Sequence, residues 1–198
     1  MARFAPASDA NFSLGFKLRQ VSHGLSSRGA ERHARWLAAI DPDALGGVLG
    51  PTLRPGLTRA LDAAHIFGCS KVRVFTFMRC QGQEKLWSKI GDIISEMAEV
   101  AAREKVQLLI ENEGACTVGN NAELVALLKH IPSKWVGINW DPHNAAHANE
   151  VAFPDGYLLL PSKRIWNVQV KARSILPGPE RMDWAAIFRR LEQDGYQG

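Results

Sequence analysis

Beyond residue 57, short apolar runs alternate with longer stretches whose apolar residues recur every three or four positions. That alternation is the pattern of βαβ units feeding a parallel sheet. It predicts strands at Lys71–Phe77, Val106–Glu111, Trp135–Asp141 and Ile165–Lys171, with starts roughly thirty residues apart, the length of one strand–helix unit. Between them, Leu86, Ile90, Ile93, Ile94, Met97 and Val100 keep helical spacing, as do Leu124, Val125, Leu127, Leu128 and Ile131. Trp184, Ile187, Phe188 and Leu191 form a third helical set, with Asp183 as N-cap and Gly195 as stop. A fourth helix is predicted from Leu57 to Phe67, closed by Gly68.

Within the strands one parity is apolar and the other is mixed. Val72 and Val74, Val106, Leu108 and Ile110, Val136, Ile138 and Trp140, and Trp166, Val168 and Val170 share the side expected to pack on helices. The opposite parity carries Arg73 and Phe75, Gln107, Leu109 and Glu111, Gly137, Asn139 and Asp141, and Asn167, Gln169 and Lys171. A parallel sheet covered on both faces is apolar on both parities, so the polar set is read as a barrel interior. Its polar members gather at strand C-termini, where barrel active sites are built. The competing reading is the solvated face of an open sheet.

The predicted fold class is therefore α/β, a TIM-type (β/α) barrel. A full barrel takes about 250 residues, and this chain has 198. The expectation is an incomplete barrel of about five to six of the eight units, forming a single domain over residues 1–198. Residues 1–56 are less legible, with five of the seventeen glycines between Gly24 and Gly50 and with Pro42, Pro51 and Pro55 as punctuation. Phe12–Val21 is the candidate strand there and Ala30–Ile40 the candidate helix. An incomplete barrel exposes parallel edges, so self-association into a homo-oligomer is expected.

Net charge is +4, split as +2, +2, −2 and +2 over residues 1–50, 51–100, 101–150 and 151–198. No basic stripe emerges, which argues against a nucleic-acid partner. Cys69, Cys80 and Cys116 are odd in number and lack metal or redox spacing, as expected of small buried thiols in a reducing compartment. No stretch approaches 18 apolar residues and Met1–Phe16 lacks a signal-type apolar run, so no membrane association is expected and the cytoplasm is the default location. Gly-rich phosphate loops and nucleophile elbows are missing.

The chemistry concentrates in the acidic quarter. Leu108-Leu-Ile-Glu-Asn-Glu113 ends a predicted strand in carboxylates, and Asn139-Trp-Asp-Pro-His-Asn144 does so one unit later. Hard divalent cations need oxygen ligands converging from separate elements, which adjacent strand ends supply. Glu111 and Asp141 are the candidate metal ligands; the alternative is a pair of helix caps or solvated acids.

Four segments in order carry a family resemblance. Ala60-Leu-Asp-Ala-Ala-His-Ile-Phe-Gly-Cys-Ser-Lys-Val-Arg-Val-Phe75, Leu109-Ile-Glu-Asn-Glu113, Trp140-Asp-Pro-His-Asn-Ala145 and Asp183–Gly198 resemble the helix, strand ends and closing "GYxG" of xylose isomerase-like barrel proteins. That group includes sugar phosphate isomerases/epimerases and the endonuclease IV group. The resemblance implies a metal held by a Glu, an Asp, a His from an "HVKD" strand and a final Glu, with the Glu residues also exchanging the substrate proton. It assigns Glu111 as ligand and base and Asp141 as ligand. It also implies a divalent metal ion (Mn, Mg, Co or Zn) and a small-molecule sugar or sugar phosphate as substrate.

Two departures stand beside it. The "HVKD" position reads Gln169-Val-Lys-Ala172, so Gln169 is a neutral and poorer candidate ligand. The final Glu would lie beyond Gly198. His143 stands where the family pattern commonly has Gly, and reads as a replacement nitrogen ligand or a substrate contact. Lys171 and Arg73 read as substrate-binding groups or as partners of structural ion pairs, Glu111 being one candidate partner of Lys171. Asn112 and Asn144 read as turn-holding groups, Trp140 and Trp166 as core, and His65 and His147 as packing or surface residues. Three functions compete: a metal-dependent sugar isomerase/epimerase, a catalytically impaired or non-enzymatic derivative of that fold, and an endonuclease IV-like metal phosphodiesterase.

Overall fold

The computed structural model describes residues 50–178 and 181–198. The candidate strand Phe12–Val21 and helix Ala30–Ile40 lie outside the described residues. Four strands, β1 (Lys71–Val74), β2 (Gln107–Glu111), β3 (Val136–Trp140) and β4 (Ile165–Val168), form one parallel sheet in the order β1-β2-β3-β4. Strand order equals chain order, as in a singly wound barrel. Right-handed crossovers then put the intervening helices on one face and leave the other as the concave interior.

The helix-facing parity of β1, β2 and β3 is apolar as the sequence predicts, whereas Val170, expected on the same side, lies beyond the end of β4 and is half exposed. Val72, Val74, Leu108, Ile110, Val136, Ile138 and Trp140 are all buried. Against them pack α1 (Gly50–Ile66), α2 (Trp87–Arg103) and α3 (Asn121–Leu128). Helix α2 buries Ile90, Ile93, Ile94, Met97, Ala98 and Ala101, a stripe at three- and four-residue spacing. The predicted 57–67 helix begins earlier, at Gly50, and runs through Pro55. Tertiary burial overrides the proline signal, because Leu53, Leu57, Ala60, Leu61 and Ala64 all lie in the core. Gly68 then ends the helix as expected, at φ 66°, with Cys69 N–H closing on Ala64 O at 2.7 Å.

The remaining elements are short: α4 (Pro142–His147), α5 (Tyr157–Leu159), α6 (Ala172–Ile175) and α7 (Trp184–Gln193). Asp183 caps α7 through Ala186 N–H at 2.9 Å, as predicted, and Asn120 caps α3 through Glu123 N–H at 2.8 Å. No described helix is long and apolar enough to cross a membrane.

One sequence expectation needs correction. Trp166 does not share the helix-facing parity of Val168. The β3–β4 ladder pairs Ile138 with Ile165 but Asn139 with Asn167, so Trp166 is an extra residue at a bulge. Its ring lies over Gly137 on the interior face, where a Cβ on Gly137 would fall within the indole. A one-residue shift reverses side-chain direction, which period-two reading along a single strand does not reveal.

Above the C-terminal ends of β1 and β2, Arg79 grips Glu123 through both carboxylate oxygens at 2.8 and 2.6 Å. Gln83 Nε2 and Gly119 N–H donate to the same carboxylate at 3.0 and 2.8 Å. Burial alone raises the Glu123 carboxyl pKa, but these donors outweigh it and hold the group below its ordinary value. A depressed folded-state pKa contributes stability that is present above the unfolded value of 4.5 and lost as pH falls through the folded one. Glu123→Gln is expected to lower the urea-unfolding free energy by about 1 kcal/mol at pH 7, a discounted figure because Arg79 is partly exposed. The gap from wild type should narrow as pH falls below 4.5; a gap that does not change with pH would contradict this role.

Candidate functional site

The site grows from the ends of β2 and β3. Glu111 is the last residue of β2 and pairs in register with Asn139 of β3. Both therefore project to the interior face. Just beyond the strands, Asn112 and Asp141 exchange two hydrogen bonds: Asn112 Nδ2–H donates to Asp141 O at 2.7 Å, and Asp141 N–H donates to Asn112 Oδ1 at 2.8 Å. This side-chain bridge extends the ladder after the strands have ended. Asp141 also caps α4, its Oδ1 accepting from Asn144 N–H at 3.0 Å.

Glu111 is almost fully buried and held by three donors. Arg73 Nη1 stands 2.7 Å from Oε2, Asn139 Nδ2 donates to the same oxygen at 3.0 Å, and Asn144 Nδ2 reaches Oε1 at 3.4 Å. Desolvation raises its pKa more than Arg73, Gln169 and Lys171 lower it, and the nearby Asp141 charge adds to the rise. Asn167 in turn donates to Asn139 Oδ1, so a row of carboxamides runs from β4 to the Glu111 carboxylate. Asp141 is fully buried, and Lys171 Nζ lies 2.5 Å from its Oδ2 and 2.7 Å from Asn144 Oδ1.

Of the residues singled out in the sequence, Glu111, Arg73, Asp141 and Lys171 thus meet at adjacent strand ends. Lys171 pairs with Asp141 and Arg73 pairs with Glu111, rather than Lys171 with Glu111. Gln169 joins at the edge: its N–H donates to Trp140 O at 2.8 Å. Its amide dipole lies close enough to lower the Glu111 pKa, while its buried Nε2 lacks a well-aligned acceptor, so the contact is electrostatic proximity rather than a formed bond. His143 is buried on α4 with its ring 4.1 Å from that of His147. Asn112 and Asn144 hold the strand ends as expected, and Asn144 also contacts Glu111 and Lys171. The contribution of Asn139 and Asn167 was visible only as polarity on the interior parity; their joining into one row needs the β3–β4 register.

Glu111 and Asp141 are suitable hard ligands, but each already faces a protein cation, and position 169 offers a carboxamide in place of an imidazole. Among the described residues, no group of three or more His, Cys, Asp or Glu side chains converges as a metal site. This donor set does not fit a resident divalent ion.

The sequence pattern of the xylose isomerase-like TIM barrel matches residues 18–198. The chain belongs to this family. That match begins at residue 18, about forty residues before Ala60, where the first segment carrying the resemblance starts. No curated protein matches the sequence. The fold is similar to that of a probable 3-DHS dehydratase, AsbF, from Bacillus anthracis, with 13% identity and a TM-score of 0.60 over 73% of this chain and 61% of that one. It is similar to the IOLI protein with a binding zinc atom at 14% identity and a TM-score of 0.60, over 74% of this chain and 58% of that chain. A D-allulose 3-epimerase from Methylomonas sp., solved with D-allulose, gives 16% identity and a TM-score of 0.61, over 75% of this chain and 55% of that chain. At such identities the likeness shows the fold alone. The chain spans about three-fifths of the length of these structures.

Proposed function

We propose that this xylose isomerase-like chain acts on a small sugar or sugar phosphate as an isomerase or epimerase, with Glu111 moving a proton at the carbon beside the carbonyl. The observation that carries this reading is the buried Glu111 carboxylate at the C-terminal end of an inner strand, surrounded by polar side chains from neighbouring strand ends. Its raised pKa brings it closer to the range where a carboxylate both takes and returns a proton near neutral pH. Arg73, Asn139 and Asn144 orient it; Lys171 supplies donors for hydroxyl or phosphate oxygens. The epimerase among the similar structures supports the substrate class.

In many members of such a fold, a metal would polarise the substrate's oxygen pair. Here such an ion would have to displace Lys171 and Arg73 from the two carboxylates, so no step is assigned to it. The phosphodiesterase alternative needs several metals and a wider histidine set, which the described residues do not assemble. The same ion pairs, together with Gln169, favour a second reading: a derivative of the fold that has kept the site's architecture and lost turnover.

Solvent-deuterium exchange separates the two. Incubated in D2O with a panel of ketoses, aldoses and their phosphates, wild type is expected to exchange the hydrogen beside the carbonyl of at least one, read by NMR. Glu111→Gln should slow that exchange by about 10²–10⁴-fold, the usual scale of a positioned acid–base group. Exchange undiminished in Glu111→Gln would reject the role of Glu111, and silence of wild type across the panel would favour the second reading.

A further inference from the structure

We infer that Arg73 and Lys171 take the place of a divalent cation in this site, leaving its two buried carboxylates neutralised by the protein and its ligand bound without a metal. The case is made oxygen by oxygen. Asp141 Oδ1 is committed to capping α4 through Asn144 N–H, and Oδ2 faces the Lys171 ammonium at 2.5 Å. That second contact is an ion pair and not an aligned hydrogen bond, so charge, not directionality, holds it. Glu111 Oε2 receives both Arg73 and Asn139, and Oε1 is approached by Asn144. Three of the four carboxylate oxygens therefore meet N–H donors, and the fourth, Asp141 Oδ2, is held by the Lys171 charge.

The charges close as well. Two carboxylates and two protein cations sum to zero, so an entering divalent ion would leave the cluster at +2 around two carboxylates that are almost fully buried. Metal–oxygen bonds of about 2.0–2.6 Å would also place the ion against the same oxygens that the ammonium and guanidinium touch. Cations of like sign at such separations repel, and burial of the carboxylates between them limits the screening. Lys171 is the more open of the two, with 35% of its side chain exposed; it donates one hydrogen bond, to Asn144 Oδ1, and meets Asp141 as an ion pair. Its exposed side leaves N–H donor capacity for a ligand oxygen. The matching ligand is a polyhydroxylated carbonyl compound or its phosphate, bound through N–H donors.

That ligand class rests on the proposed function, whereas the exclusion of a metal depends on charge and donors alone. Full-length protein, dialysed against EDTA, is titrated with Mn²⁺ by calorimetry, with bound metal counted by elemental analysis. Wild type is expected to bind Mn²⁺ no tighter than about millimolar. Lys171→Met, which uncovers Asp141 Oδ2, should bind at least tenfold tighter, and Lys171→Met/Gln169→His tighter again. Uptake of one equivalent at micromolar Mn²⁺ by wild type would overturn the inference, as would variants that fold and bind no better than wild type. Should Lys171→Met fail to fold, the wild-type titration alone decides. Sugar exchange in D2O is independent of this readout, so loss of the proposed activity and loss of this inference are distinguishable.

Discussion

Arg73→Met is expected to cost about 3 kcal/mol of folding stability at pH 7, measured as a shift of the urea midpoint at unchanged slope. The mechanism is removal of one partner from a buried ion pair, which leaves an uncompensated charge and usually costs about 3–5 kcal/mol. The lower end applies because 22% of the Arg73 side chain is exposed against 3% of Glu111. Asn139 and Asn144 still donate to the stranded carboxylate, but neither supplies charge.

The pH dependence has a definite sign. Burial already raises the Glu111 pKa, and Arg73 is the strongest opposing influence, so its removal raises that pKa further. A carboxyl whose folded pKa exceeds its unfolded one makes the folded state bind more protons, so stability falls as pH rises. The Arg73→Met penalty should therefore be greatest near neutrality and shrink as pH approaches the ordinary carboxylate range of 4.5. Arg73→Met/Glu111→Met should recover most of the loss, because an apolar pair leaves no buried charge behind. A penalty independent of pH, or a double variant as unstable as the single, would reject the ion pair as the cause.

Trp140→Ala should be the costliest core substitution, at about 3–5 kcal/mol by urea unfolding. Trp140 is fully buried at the end of β3, its ring centroid 5.0 Å from that of Tyr157. Truncation opens a cavity beneath the strand end that carries Asp141. It also strips Asn121 Oδ1 of the indole N–H that donates to it at 3.0 Å, leaving a buried acceptor unsatisfied. Trp140→Phe should keep most of the packing and lose chiefly that hydrogen bond, at a cost of about 1–3 kcal/mol. Equal costs for Ala and Phe would mean that packing is not the dominant contribution. A loss under about 1 kcal/mol for Ala would contradict the core position altogether.

How much was legible in advance depended on the range of each interaction. The four strands, three helical stripes and the cap at Asp183 follow from spacing within a dozen residues. The sequence pattern carries the first strand too far, to Phe77 against the observed Lys71–Val74, because apolar residues continue into the loop after the ladder stops. Gly50–Ile66 was read too short, because proline is a strong local signal and burial of Leu53 is not local.

The candidate site divides along the same line. Sequence by itself determined that Glu111 and Asp141 fall at the ends of neighbouring strand segments and that Arg73 and Glu111 share the interior parity, since alternation is a property of a single extended chain. Only the tertiary structure decided who faces whom. Arg73 meets Glu111 across β1 and β2, Lys171 closes on Asp141 from beyond β4, and Trp166 turns inward over Gly137. These outcomes depend on register between segments thirty or more residues apart, and a single bulged residue resets that register for everything on its strand.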